Sequence, residues 1–288
     1  MRTSWIISLS IVLFSYIGII NGWGYDTHRR INRIAATLLS GDFGIYILQI
    51  QDSLALHAPD PDYWKADDPN EEYRHYIDAD YYDSYPFDEI PRDMENLIHT
   101  YGDSCVNEWG IGPWAIKNSC EIISELMKSG NWDAVPIHLA ALGHYVSDLH
   151  MPLHVVANYN GQLSGNEGIH FRWEVSMTEA YLKDIQPGSD IVYISDPVEF
   201  AFNIVKESYE VHAELFSADS LARIPLTMTQ RDSLKTYEPL SFEMPYLEVL
   251  FNETKDILTD RTNEAVSRVA SYWYTCWVNA GYPELPSQ

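Results

Sequence analysis

The sequence predicts an all-α protein whose folded part is a single multi-helix domain, residues 23–288. Apolar residues recur at the three- and four-residue spacing of a helix in five stretches, whereas the alternating pattern of a half-buried strand is scarce. No repeat, low-complexity linker or change in composition marks a second domain. Hydrophobic residues make up 46% of the chain, which is enough for a sizeable core.

The first 22 residues have the pattern of a signal peptide. Arg2 supplies a positive start, an almost purely apolar run follows over residues 5–20, and Asn21-Gly22 offers a small residue for cleavage. The alternative is an uncleaved membrane anchor, but the run is short for a span of about 20 residues. We therefore expect export to the periplasm or the medium, a mature chain that begins at Trp23, and no integral membrane segment after cleavage.

Local signals delimit the helices. Five helices are predicted. The first begins at a cap, Asp26 or Thr27, and ends before Gly41, and the second begins at Pro113 and ends before Gly130. The others cover residues 132–149, the stretch from Asp196-Pro197 through Leu215, and residues 266–278 with a stop at Gly281. The helix at 132–149 is nearly apolar all round, which predicts a central position. Residues 78–91, acidic and rich in Tyr, and residues 158–168, rich in Gly and Asn, are predicted surface loops.

Composition limits the partners. The chain has 18 basic and 42 acidic residues, a net charge of −24, so it offers no basic surface for duplex DNA or an anionic membrane. If the protein handles phosphate groups, the positive charge must come from bound metal. Its three cysteines, Cys105, Cys120 and Cys276, allow one disulfide and one remaining thiol, and none forms a Cys-x-x-Cys zinc motif.

Histidines and carboxylates recur at helical spacing in two places. His144 and Asp148 lie four residues apart on one face of the central helix, and His154 follows Pro152, which ends that helix. His170 and Glu174 repeat the spacing. One such pair is more often an ordinary hydrogen-bonded pair, but two pairs and a third His around an apolar helix favour a metal site, because buried carboxylates need a partner. Imidazole and carboxylate are the ligands that zinc takes without cysteine.

The predicted mature N-terminus adds a further candidate. His28 lies on the apolar face of its helix, where it is either a core histidine or a metal ligand. After cleavage, Trp23 would carry a free amino group five residues before His28. An amine and a carbonyl oxygen of one residue can chelate a metal ion together.

The ordered motifs resemble one known family. They comprise Trp23, His28, Ala58-x3-Asp62, His75-Tyr76-Ile77-Asp78, His144-x3-Asp148-x5-His154 and His170-x3-Glu174. This pattern resembles the zinc-dependent superfamily of bacterial phospholipase C and fungal single-strand-specific nuclease. Residues 176–260 resemble it only in their helical character.

The resemblance implies an all-α bundle around a cluster of three zinc ions. Its implied ligands are Asp62, His75, His144 and Asp148 for the first ion, His154, His170 and Glu174 for the second, and Trp23, His28 and the bridging Asp148 for the third. Asp60 is the alternative to Asp62. We prefer Asp62 because Ala58-x3-Asp62, with Lys65 three residues later, reproduces the spacing of the family. Asp62 is also the candidate catalytic residue, since its carboxylate could orient the attacking water or accept its proton. The zinc charge would exceed that of the ligand carboxylates and attract a phosphodiester.

Three functions follow as hypotheses. Phospholipase C-like hydrolysis of phosphate esters is placed first, on Pro152-Leu153-His154 and on Glu rather than Asp at 174. The alternative is a single-strand-specific endonuclease and 3′-nucleotidase, because His75-Tyr76-Ile77-Asp78 resembles the nuclease side of the family. That resemblance implies that Tyr76 stacks on a base while Asp78 contacts the edge of that base, although Tyr76 could equally be a core residue. A non-enzymatic zinc-binding scaffold is the third. An aromatic loop over 81–87 could meet either a lipid chain or bases. The lipid or nucleic-acid substrate and the oligomeric state are not determined by the sequence.

Overall fold

The computed structural model describes residues 24–286. The predicted signal peptide and Trp23 lie outside this range. Within it the chain is helical and contains no β-strand, which confirms the predicted fold class. Among these residues, no helix combines the length and the apolar character needed to cross a bilayer.

The helices are numbered in chain order. The shorter ones are α1 (Tyr25–Ala35), α2 (Gly41–Gln49), α3 (Gln51–Leu56), α4 (Asp60–Trp64), α5 (Ala79–Tyr82), α6 (Met94–Tyr101), α7 (Asp103–Trp109), α10 (Ile169–Phe171), α11 (Thr178–Tyr181) and α13 (Met228–Ser233). The longer ones are α8 (Gly112–Lys128), α9 (Val135–Leu149), α12 (Pro197–Ala222) and α14 (Glu243–Asn279). Turns of 3-10 helix cover Glu72–Arg74 and Pro152–His154, and a π-helical turn, Arg172–Met177, joins α10 to α11.

Helix α9 is the centre of the bundle. It packs against α1, α3, α8, α12 and α14, and its residues from Leu139 to Leu149 are all buried. The prediction of a central helix is therefore confirmed. Because a helix surrounded on all sides has no solvent-facing stripe, its polar residues must find partners inside the protein.

Most predicted helix ends agree with the structure. Asp196 caps α12 through its side chain, which accepts hydrogen bonds from the backbone N–H groups of Val198 and Glu199. Helix α1 differs, because Gly24 is its N-cap and Asp26 lies in its first turn. Gly41 does not simply end a helix: with φ of +68° it begins α2. The last helix is much longer than its predicted apolar part.

The predicted surface loop at 78–91 is wrong in part. It contains α5, and the side chains of Tyr82, Phe87 and Ile90 are buried in the core. Phe87 lies edge-on to Tyr209 of α12, with ring centroids 4.9 Å apart. The acidic and turn-forming residues suggested a solvated segment, but its apolar residues anchor the segment to the bundle.

Tertiary contacts also explain an extended segment before α12. Backbone N–H groups of Gly188, Val192 and Ile194 donate to hydroxyls along α14, the last to Thr275 Oγ1 at 2.9 Å. All three cysteines are free thiols, and Cys120 of α8 contacts Cys276 of α14. The spatial neighbour of Cys120 is therefore not the cysteine nearest in sequence.

Candidate metal centre

Eight of the nine predicted ligand residues lie in one buried cluster, and Trp23 is outside the described residues. The eight are His28, Asp62, His75, His144, Asp148, His154, His170 and Glu174, each at most 7% exposed. Their nitrogen and oxygen atoms form three groups, each compact enough to surround one metal ion. The fold thus brings together the residues that helical spacing and the family resemblance predicted from the sequence.

Two helices meet closely enough to place His28 against Asp148. A Cβ at Gly143 of α9 would lie 2.1 Å from Asn32 Oδ1 of α1, so only glycine permits this approach. Asn32 in turn donates to the Ala140 carbonyl at 3.1 Å and fixes the two helices together. The rings of His28 and His144 stack as a result, with centroids 3.9 Å apart.

The first group surrounds Asp148. His75 Nδ1 lies 2.8 Å from Asp148 Oδ2 and 3.0 Å from His144 Nε2. His144 Nε2 lies 3.1 Å from the same carboxylate oxygen. Asp62 Oδ1 completes the group, 3.7 Å from His144 Nε2 and 3.8 Å from His75 Nδ1. The ring nitrogens of His75 and His144 and the carboxylates of Asp62 and Asp148 thus surround one small space.

The second group joins the 3-10 turn after α9 to α10 and the π-helical turn. His154 Nε2 and His170 Nε2 lie 3.2 Å apart, and Glu174 lies 3.3 Å from the first and 2.8 Å from the second. Burial would raise the pKa of the Glu174 carboxyl, but the two histidines outweigh burial and hold that pKa at about 2. Glu174 is therefore an anion at neutral pH.

The third group contains His28, whose Nε2 lies 3.4 Å from Asp148 Oδ1. Burial, followed by the nearby His144, lowers the pKa of His28 below its ordinary value. Among the described residues, neither ring nitrogen of His28 finds a hydrogen-bond partner. A neutral imidazole with a free nitrogen is the form that binds a metal ion.

The residues fit metal ions. Asp62 Oδ2, Asp148 Oδ1 and both oxygens of Glu174 are buried and make no hydrogen bond within residues 24–286. The neighbours of the last three oxygens are imidazole nitrogens of the cluster, 2.8–3.4 Å away, which are themselves candidate ligands. Buried carboxylate oxygens are normally paired, so atoms left without partners and directed into shared spaces call for a cation. Imidazole and carboxylate groups are among the ligands that zinc takes in proteins.

The structure places Asp62 rather than Asp60 in the cluster. Asp60 Oδ2 lies 2.7 Å from His57 Nδ1 in a partly exposed pair. Asp62 is fully buried, and Lys65 Nζ donates to its Oδ1 at 2.9 Å. Burial would raise the pKa of Asp62, but His144 and Lys65 outweigh burial and lower it. Asp62 is thus held as a carboxylate.

A cavity of about 390 Å³ opens onto the cluster. His75, His154 and His170 form its floor. Its walls are Lys65, Glu72, Tyr76, Asp78, Tyr81, Glu108, Leu153, Ala157, Tyr159 and Gln162. Of the aromatic loop predicted over 81–87, Tyr81 lines the cavity, whereas Tyr82 and Phe87 are core residues.

Sequence reasoning missed two polar residues next to the cluster. Glu71 is 1% exposed, and its Oε1 lies 3.5 Å from His75 Nε2. Tyr145 donates its hydroxyl proton to Glu71. The four-residue spacing between Glu71 and His75 is the signal that could have identified the first, while nothing in the sequence relates Tyr145 to Glu71.

The pKa of Asp78, which lines the cavity, is shifted by its surroundings. Burial, followed by the charge of Asp80, raises the pKa of Asp78 to about 7 from an ordinary 3.8. Between these values the carboxyl ionises in the unfolded chain but stays protonated in the folded one. The free energy of unfolding of the metal-free protein therefore falls as the pH rises through this window, by on the order of 4 kcal/mol for this group.

Asp78→Asn should remove that loss. We expect the variant to gain stability relative to the wild type on going from pH 4 to pH 8, which urea unfolding of chelator-treated protein measures. Added zinc should shrink the gain, because nearby cations favour the carboxylate. The same stability difference at both pH values would contradict the pKa assigned to Asp78.

The comparisons with known proteins agree with this geometry. The sequence model of the S1/P1 nuclease family matches residues 23–182, more than half of the chain, and that range contains all nine predicted ligands. No curated protein matches the chain. The family implies a hydrolase that acts on phosphodiester bonds with the help of metal ions. The chain therefore belongs to the S1/P1 nuclease family.

Proposed function

We propose that this protein is an exported, zinc-dependent phosphodiesterase that cleaves single-stranded nucleic acid and removes 3′-phosphates from nucleotides. The observation that carries the proposal is the position of Tyr76 and Asp78. Both line the cavity above the metal cluster, immediately after the candidate ligand His75. The family match supports the same choice. We therefore place nuclease activity ahead of phospholipase activity, which came first among the sequence-based hypotheses.

The metal centre of the proposal contains three zinc ions. The ligand sets are those implied by the sequence resemblance, with Trp23 contributing its amino nitrogen and carbonyl oxygen to the ion held by His28 and Asp148. Zinc bound there would supply a water of lowered pKa and positive charge to balance the phosphate oxygens. Export follows from the predicted signal peptide, whose removal would free the Trp23 amine.

Asp62 is the proposed proton acceptor. Its Oδ1 is engaged by Lys65, whereas its Oδ2 has no hydrogen-bond partner in the described part of the chain. Because its pKa is lowered, Asp62 is ionised at neutral pH and can orient an attacking water or accept its proton. Lys65 lines the cavity as well, so its ammonium group can also contact a phosphate oxygen.

Tyr76 and Asp78 are held in fixed positions for base recognition. The Tyr76 hydroxyl donates to the Glu108 carbonyl at 2.9 Å, which restrains the ring at the cavity wall. The Asp78 N–H donates to the Trp109 carbonyl at 2.7 Å. An unpaired base can stack on a tyrosine and hydrogen-bond to a carboxyl group, whereas a base inside a duplex presents neither its face nor its pairing edge. This arrangement therefore favours single strands.

One observation favours phospholipase C-like activity as a second candidate. Glu72, Asp78 and Glu108 bring carboxyl groups to a cavity that also contains Tyr81 and Tyr159. Carboxylates and aromatic faces attract a cationic headgroup and repel additional phosphates. A substrate with one phosphate and one positive charge would fit this lining.

Side-by-side turnover of heat-denatured DNA and phosphatidylcholine micelles decides between the two. We expect rapid release of nucleotides, little diacylglycerol, and slower cleavage of duplex DNA. Tyr76→Ala should raise KM for denatured DNA about tenfold, because one stacked base contributes about 1–3 kcal/mol.

Tyr193→Ala is the matched control for the loss of a tyrosine, since Tyr193 is half exposed and bonds Asn279 away from the cavity. It should leave KM unchanged. Diacylglycerol release without nucleotide release would transfer the assignment to the phospholipase candidate.

A further inference from the structure

The histidines of the cluster differ in the partner of the ring nitrogen that points away from the candidate metal sites. His144 Nδ1 and His154 Nδ1 face backbone carbonyls, those of Ala58 at 2.9 Å and of His75 at 3.1 Å. The Nδ1 atoms of His28 and His170 have no hydrogen-bond partner among residues 24–286. Among these five rings, His75 is the one with a carboxylate from outside the cluster on its far side, Glu71.

The orientation of the His75 ring determines what Glu71 can do. Its Nδ1 faces Asp148 and His144, so this nitrogen must be unprotonated to bind a metal ion. The proton of a neutral ring then lies on Nε2, which makes no hydrogen bond among residues 24–286 and has Glu71 Oε1 as a carboxylate neighbour at 3.5 Å. A ring flip would place a carbon atom toward the cluster. The contact between His75 and Glu71 therefore determines both which nitrogen of the His75 ring is protonated and how the ring is oriented.

Glu71 is itself held in place from two sides. Tyr145 of α9 donates to its Oε1, and Arg74 donates to its Oε2. Tyr145 also packs edge-on against His75, with ring centroids 5.4 Å apart. Glu71 and Tyr145 are buried, so water does not compete for the contact between them, whereas Arg74 is partly exposed. The carboxylate is thus fixed behind the ring by residues that take no part in the cluster.

We propose that Glu71 is a positioning residue, which holds His75 with Nδ1 toward the metal and strengthens that nitrogen as a ligand. A carboxylate that accepts the remote N–H of a ligating imidazole fixes its tautomer and makes it a more basic donor. The inference rests on the proposed metal centre but assigns a residue that the ligand motifs do not contain. Glu71 touches neither substrate nor metal.

Zinc affinity measured by competition with a chromophoric chelator tests the proposal, starting from metal-free protein. Glu71→Gln keeps the size of the side chain and its contact with Tyr145 but removes the charge. We expect one zinc ion to bind about tenfold more weakly, within the 10- to 100-fold range for such partners. The other ions should bind as in the wild type. Cobalt substitution should show altered visible bands for the weakened ion only.

Asp219→Asn is a matched control. Asp219 is also a buried carboxylate that accepts from a tyrosine, Tyr246, and from an arginine, Arg223, but it touches no cluster residue. Both variants should lose stability, and only Glu71→Gln should lose zinc affinity. Wild-type zinc affinity in Glu71→Gln, or equal weakening in both variants, would overturn the role of Glu71. A wild type that binds no zinc would instead overturn the metal centre, and this role with it.

Discussion

Asp148→Asn should reduce phosphodiester hydrolysis by about a thousandfold or more and release bound zinc. Asp148 lies in the middle of the cluster, with His75 and His144 at one carboxylate oxygen and His28 at the other. Bound metal contributes several kcal/mol of transition-state stabilisation, and each 1.36 kcal/mol is a factor of ten in rate. An amide has the same shape but no charge and only one acceptor oxygen, so it would hold the proposed zinc ions much more weakly.

Turnover and metal content should be measured together on the same preparations. Asp60→Asn is the control, because Asp60 is an aspartate close in sequence to a candidate ligand but pairs with His57 outside the cluster. It should retain zinc and activity. Full activity of Asp148→Asn would refute the proposed centre, whereas lost activity with all zinc retained would limit Asp148 to a role other than ligation.

Removal of zinc by a chelator should lower the melting midpoint by about 10 °C. A ligand that binds only the folded state at a thousand times its dissociation constant stabilises that state by about 4 kcal/mol. For a domain of this size, 1 kcal/mol corresponds to about 2–4 °C. The eight described ligands come from α1, α4, the segment after α4, α9 and the segments after it, so the ions would connect distant parts of the chain.

Circular dichroism melting after dialysis against chelator, and again after zinc is returned, measures this effect. Zinc should restore the midpoint, and magnesium should not, because histidine-rich sites suit zinc better than magnesium. Metal analysis of the untreated protein should return close to three zinc ions per chain. If dialysis against chelator removes the zinc and the melting midpoint does not change, the ions have no structural role.

Local sequence patterns are sufficient for the fold class and most ligand positions. A helix places residues four apart on one face, so spacing alone pairs His144 with Asp148 and His170 with Glu174. Pro152 is likewise assigned to the end of the central helix by its type and position. These inferences succeed because they depend on backbone geometry within one or two turns.

Contacts between distant segments decided the rest. Asp60 and Asp62 are two residues apart, and only the packing of α4 against α9 turns Asp62 into the cluster while Asp60 pairs with His57. The same applies to Phe87, whose acidic neighbours indicated a surface loop although its ring packs against Tyr209. The family spacing favoured Asp62, but the contacts of Asp62 and Phe87 do not follow from a local pattern, because the partner of each lies far away in sequence.

The sequence by itself determined the all-α class, the central helix and the pairs of metal-binding side chains on it and after it, because periodicity and spacing record which residues share a helix face. Asp62 and His75 were added by the resemblance to a known family. Only the tertiary structure decided which atoms of those side chains face one another, that Glu71 and Tyr145 stand behind His75, and that Tyr76 and Asp78 open onto the same cavity. The physical reason is that orientation and burial are set by packing between segments, which local spacing does not encode.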